Sequence, residues 1–182
     1  MPGKTAYVLT ILLLAAAGGF LLKTSFTKEP SEAFEAPSVL FEAPDFSLPL
    51  YNEDKNLALS DYEGKTVILN FWATWCVSCR LEAPGLEKTW KAFKDQDVVL
   101  IGINLQETPK EIQKFVDEYG ITYPIVIDKE AETVFKYGVR IVPTTIFINK
   151  EGLVVYVYEG LLNDEQLVSL IEYTRRSDKE LA

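Results

Sequence analysis

The chain has 182 residues, a formal net charge of −9 and no histidine; 48% of its residues are hydrophobic and 25% charged. That composition suffices to bury one core. The acidic surface, with no basic stripe, excludes a nucleic-acid partner, and the missing imidazole excludes histidine-based metal sites and Ser/His or Cys/His nucleophile pairs.

Residues 6–22, AYVLTILLLAAAGGFLL, carry no charge and are flanked by Lys4 and Lys23. As a helix they rise about 25 Å, the short end of a bilayer span. Residues 1–23 are read as an uncleaved membrane anchor, with a cleavable signal sequence as the alternative because AAAG at Ala15–Gly18 resembles a cleavage site. Either reading sends the remainder across the membrane. Residues 24–42, with Pro30, Pro37 and several acids, read as a linker. A folded domain is expected over 43–175 and a frayed tail over 176–182.

Within the domain, Phe46–Leu50 and Leu57–Leu59 read as short strands around the polar turn Asn52–Asp54, an N-terminal β-hairpin extension. Lys65–Trp72, KTVILNFW, is a continuous apolar run and predicts a strand buried on both faces. From Val77 to Phe93 the spacing of Leu81, Leu86, Trp90 and Phe93 is helical, and Pro84 predicts a kink. Val98–Leu105 predicts a second buried strand, and Pro109 opens a helix that Tyr119-Gly120 closes. A short strand at Ile125–Ile127 and a short helix at Glu130–Tyr137 follow. Thr144–Asn149 and Leu153–Tyr158 read as strands joined by the turn Lys150–Gly152. Asn163 or Asp164 caps a last helix to about Thr174. This order implies an α/β fold: a mixed sheet with helices on both faces.

Cys76 and Cys79, in NFWATWCVSCRLEAP, are the only cysteines. Cys76 follows a buried strand and stands at or just before a helix N-terminus, where free N–H groups and the helix dipole favour a thiolate. Cys79 lies one helical turn on and can close a small disulfide. An outer low-pKa thiol with a resolving partner is what thiol–disulfide exchange needs. Two other readings stay open. An inert bridge across two residues removes little unfolded-state entropy. Structural zinc needs four ligands that two cysteines without histidine cannot supply, although copper on two thiolates is geometrically allowed. Arg80 stands where c-type haem attachment needs histidine. A partly buried carboxylate at Glu82 can tune or deprotonate Cys79; the plain alternative is an exposed helix glutamate.

FWATWCVSCRLEAP together with GVRIVPTTIFINKEG resembles the thioredoxin superfamily, and in pattern its membrane-tethered extracytoplasmic TlpA/ResA type, over about Ala43 to Thr174. The resemblance implies a thioredoxin-like mixed sheet and a redox-active Cys76–Cys79 disulfide, with no bound cofactor and no metal. It implies a cis peptide between Val142 and Pro143, opposite the cysteines, where backbone pairs with a substrate peptide. It also implies a proton-transfer role for Glu82, and Trp75 as part of the docking surface, with Trp72 either docking or core. Asn70 departs from the family pattern, standing where thioredoxin itself has a buried acid, and Val77-Ser78 replaces the more familiar Glu-Pro or Gly-Pro. The implied partners are protein thiols and disulfides, apocytochrome c among them, and a membrane electron donor of thiol–disulfide type. Two alternatives stand beside this. The stretch PDFSLPLYNEDKNLALSDYEGKTVILNFW also resembles the start of peroxiredoxins, but Ala73 occupies the position where they carry a threonine. The third is a copper-binding assembly factor, which the missing histidine disfavours.

Overall fold

The computed structural model describes residues 41–177. The apolar run at residues 6–22 and nearly all of the segment read as linker lie outside the described residues. Among the described residues no helix is long and apolar enough to cross a membrane.

Among the described residues six strands form one mixed sheet: Phe41–Glu42 (β1), Thr66–Trp72 (β4), Val98–Leu105 (β5), Ile125–Asp128 (β6), Thr144–Ile148 (β7) and Leu153–Glu159 (β8). Their order is β1-β8-β7-β4-β5-β6. β4, β5 and β6 run parallel, while β7, β8 and β1 are added antiparallel. Ser47–Pro49 (β2) and Asn56–Ala58 (β3) pair antiparallel as a separate two-stranded sheet. β4 is central and buried at all seven positions, as a two-faced strand must be.

Alternation along β4 sends Ile68, Asn70 and Trp72 to one face and Val67, Leu69 and Phe71 to the other. The first face packs under three helices, Val77–Phe93 (α1), Pro109–Tyr119 (α2) and Asp164–Ser177 (α4), in one apolar cluster with Leu86, Ile112, Phe115, Leu167 and Ile171. The second face is covered by Phe46 and Leu57 of the β2–β3 sheet and by Tyr137, which follows the short helix Glu132–Lys136 (α3). The Tyr137 hydroxyl donates to the Pro44 carbonyl at 2.8 Å and ties these covers together.

Several boundaries differ from the sequence reading for identifiable reasons. Phe41 and Glu42, assigned to the linker, pair with Val154 and Leu153. The second early strand ends at Ala58, because Leu59–Tyr62 tightens into a 3₁₀ turn whose Asp61 accepts the Ala58 N–H at 2.9 Å. α3 starts at Glu132 rather than Glu130: buried Asp128 accepts the N–H groups of Thr133 and Val134 at 2.9 and 3.0 Å. α1 continues through Pro84. Asn163, not Asp164, caps α4, exchanging hydrogen bonds with Gln166, and the helix runs past Thr174 to Ser177.

Candidate active site

The chain leaves β4 at Trp72, turns through Ala73–Trp75 and enters α1 at Val77, so Cys76 becomes the N-cap residue. Its backbone is extended (φ −80°, ψ 113°), and its sulfur accepts the Cys79 N–H at 3.1 Å. A helix begins with unsatisfied N–H groups; here a sulfur takes one of them, which stabilises negative charge on that sulfur once reduced. Cys76 and Cys79 are joined as a disulfide with Cα atoms 5.2 Å apart. Both are buried.

Beneath the pair, Glu82 lies on the same side of α1 as Cys79, one turn on. It is only 3% exposed. Its Oε1 accepts from Asn70 Nδ2 at 2.8 Å and its Oε2 from the Leu162 N–H at 3.3 Å. Asn70 Nδ2 also donates to Thr145 Oγ1 at 3.1 Å. Burial pushes the Glu82 carboxyl from 4.5 up to about 7, against the pull of the Asn70 amide and the Leu162 N–H. A carboxyl poised there exchanges a proton near neutral pH. Tyr123, also buried, has its phenol pushed up by burial and by the Glu82 and Glu87 carboxylates.

The second loop at the site precedes β7. The Val142–Pro143 peptide bond is cis, and the Val142 carbonyl oxygen lies 3.6 Å from Cys76 Sγ. Thr144 Oγ1 donates to the Ile141 carbonyl at 2.8 Å and the Gly160 N–H to the Pro143 carbonyl at 2.8 Å, so both sides of this loop are held. Exposed apolar side chains neighbour both segments in the chain: Trp75, 69% exposed, with Val77 and Leu81 beside the cysteines, and Ile141 just before Val142. Trp72 is different. It is buried, packs against Phe115 with ring centroids 4.5 Å apart and planes tilted by 39°, and belongs to the core.

The structure therefore brings Cys76, joined to Cys79, beside the Val142–Pro143 bond, buries Glu82 one helical turn beyond Cys79 and leaves Trp75 exposed just before Cys76. It adds groups that the sequence did not single out. Thr145 and the Leu162 N–H complete the setting of Glu82, and Glu107 grips the turn at Thr74. Thr145 sits inside the quoted PTT stretch. For Glu107, 31 positions from Cys76, and for a backbone N–H, no sequence pattern gives a signal.

The sequence profile of the AhpC/TSA family matches residues 39–157. Thiol-disulfide oxidoreductase ResA of Geobacillus thermodenitrificans (strain NG80-2) is 35% identical over 165 residues, 91% of this chain and 91% of that protein. The chain belongs to the AhpC/TSA family, among the ResA-like thiol–disulfide oxidoreductases. The ResA protein of Bacillus subtilis (strain 168) is 38% identical over 126 residues, covering 69% of this chain and 70% of that one. The crystal structure of StoA from Bacillus subtilis superposes with a TM-score of 0.62 at 26% identity, covering 73% of this chain and 98% of StoA. In this ResA-like thiol–disulfide oxidoreductase, the thioredoxin-like sheet carries the Cys76–Cys79 pair where β4 passes into α1.

Proposed function

We propose that this protein is a membrane-tethered reductant outside the cytoplasm, which reduces disulfides in exported proteins such as apocytochrome c before haem attachment. The observation that carries the reading is the succession of Cys76, Cys79 and Glu82 along α1: a helix-capping sulfur at the N-terminus, a second sulfur one turn on, and a neutral-range carboxyl one turn further. In the reduced protein, Cys76 thiolate attacks one sulfur of the target disulfide. A mixed disulfide forms, and the other target sulfur leaves as a thiolate that takes a proton. Glu82 accepts the Cys79 proton, Cys79 attacks Cys76 Sγ, and the second target thiol is released. Two electrons and two protons pass to the target, and Cys76–Cys79 is left oxidised. A membrane dithiol donor reverses that last change, since an oxidising compartment otherwise holds the pair as the disulfide.

Trp75 and the exposed apolar side chains beside it receive the target, and the backbone at Val142 and Pro143 pairs with it beside Cys76. The uncharged run at residues 6–22 supports the tether. The two alternatives gain nothing here. Thr74, the threonine nearest to Cys76 in sequence, gives its hydroxyl to Glu107.

The test is a trap. In Cys79→Ser the mixed disulfide on Cys76 has no resolving thiol, so an oxidised apocytochrome c peptide carrying both haem-attachment cysteines stays linked. The reading expects that adduct from Cys79→Ser and none from Cys76→Ser. Adducts at equal yield from both variants, or from neither, contradict it.

A further inference from the structure

Thr74 stands two residues before Cys76, and its polar groups are held by charged side chains from elsewhere in the fold. Its backbone N–H donates to Glu107 Oε2 at 2.7 Å and its hydroxyl to Glu107 Oε1. Its carbonyl accepts from Arg80 Nη1 at 3.3 Å. Glu107 is itself fixed. Its Oε2 also accepts from Asn104 Nδ2 at 2.7 Å, and its own N–H donates to Asn104 Oδ1 at 3.3 Å. Asn104 is fully buried and lies in register with Trp72, the last residue of β4. Arg80 is held in turn by both oxygens of Glu118 at 2.6 and 2.8 Å, and lies over the Phe115 and Tyr119 rings at 5.7 and 5.5 Å.

The two parallel strands β4 and β5 thus leave the sheet side by side, and a carboxylate from the second exit grips the first. The contacts are charge-assisted, and the paired N–H and hydroxyl donors of Thr74 fix its orientation as well as its position. Two residues later the chain must deliver Cys76 as an N-cap, its sulfur 3.1 Å from the Cys79 N–H. A loose turn fails at that task, because a capping interaction depends on the extended geometry of the cap residue.

The geometry points to Glu107 as a positioning residue for the exchange reaction: by gripping Thr74 it holds Cys76 at the head of α1, where the sulfur receives the Cys79 N–H. The inference rests on the dithiol-exchange reading of the pair. It has a distinctive sign. Glu107 is an anion, so a simple field effect of removing its charge favours a nearby thiolate and lowers the Cys76 pKa. Loss of positioning does the reverse, because the sulfur loses its N–H donor and the helix end. The other charged groups at this turn, Arg80 from α1, Glu118 from α2 and Glu82 one turn beyond Cys79, are not changed by the substitution.

The experiment follows the pH dependence of Cys76 alkylation by iodoacetamide in the reduced full-length chain, read by peptide mass spectrometry, for the parent, Glu107→Gln, Thr74→Val, Thr74→Ser and Glu107→Gln combined with Thr74→Val. Glutamine keeps the shape but presents an NH2 donor where Thr74 or Asn104 already donates. The positioning role predicts that Glu107→Gln moves the midpoint up by roughly half a pH unit, about threefold in thiolate population near neutrality. Thr74→Val moves it the same way, Thr74→Ser matches the parent, and the double variant shifts no further than Glu107→Gln alone. A midpoint that falls or stays unchanged in Glu107→Gln overturns the inference. Should Glu107→Gln not fold, the Thr74→Val and Thr74→Ser pair decides by the same criterion, equal midpoints overturning it. A parent pair that does not cycle between dithiol and disulfide is a separate outcome, and contradicts the exchange reading instead.

Discussion

Asn70 on β4 and Glu82 on α1 meet across the buried interface between sheet and helix, the Asn70 amide donating to the Glu82 carboxyl at 2.8 Å. The same amide nitrogen donates to Thr145 on β7 at 3.1 Å, so one neutral side chain links two strands to the helix that carries the cysteines. A buried acid at this strand position would put two carboxyls within hydrogen-bond reach, and one of them would have to stay protonated. An amide instead supplies a donor and leaves Glu82 as the titrating group beneath the pair.

Asn70→Ala removes one of the two donors that hold the Glu82 carboxyl down. Its midpoint then rises above the parent's value of about 7, as a carbon-detected NMR titration of the Glu82 side chain will show. Stability falls by about 1–3 kcal/mol, because Glu82 and Thr145 lose a buried partner. An unchanged midpoint contradicts the account of what sets it.

The raised carboxyl also makes stability depend on pH. Between about 4.5 and about 7 the folded protein holds a proton on Glu82 that the unfolded chain has released. Stability therefore falls as pH rises through that window, and this contribution levels off above it. Denaturant unfolding of the oxidised protein across that range measures the slope. Glu82→Gln, which cannot ionise, is expected to flatten it; an identical slope in the variant assigns the dependence to another group.

Glu82→Gln also tests the proton step. Release of a trapped target from the Cys76 mixed disulfide needs Cys79 as a thiolate, and general-base assistance is worth about 10²-fold or more. Single-turnover release is expected to slow by that order near pH 7 and to recover at high pH, where Cys79 ionises unaided. Equal rates at pH 7 remove Glu82 from the mechanism.

Trp75 is 69% exposed beside the reactive sulfur, and an anchoring tryptophan is the residue type that dominates binding hot spots. Trp75→Ala is expected to weaken reduction of a protein disulfide about tenfold or more, while reduction of a small disulfide reagent is nearly unchanged. An equal loss on both substrates makes Trp75 part of the chemistry or the fold rather than the docking surface.

Much of this site was legible in the sequence because it is local. Strand, turn, capping cysteine and helix occupy consecutive residues, and Glu82 follows Cys79 by one helical turn, so periodicity alone places them together. The mixed sheet was legible too, from the two-faced apolar runs at β4 and β5 and the hairpin turn at Gly152, whose φ of 78° suits glycine. What stayed hidden is non-local. Whether Trp72 is core or rim depends on Phe115, which packs on it from a separate helix. The grip of Glu107 on Thr74 depends on β4 and β5 being neighbours, and the Leu162 N–H reaches Glu82 across 80 residues. Short-range turn chemistry explains the boundary shifts: Asp61 and Asp128 satisfy backbone N–H groups that hydrophobic pattern does not register.

The most direct test of the central claim is the reduction potential of Cys76–Cys79, measured by equilibrating the full-length chain in graded dithiol buffers. A reductant fed by a membrane donor requires a reversible couple below about −220 mV. A potential near about −120 mV would make the protein a disulfide-forming oxidant and contradict the proposed direction of electron flow, and no reversible couple at all would contradict the exchange chemistry itself.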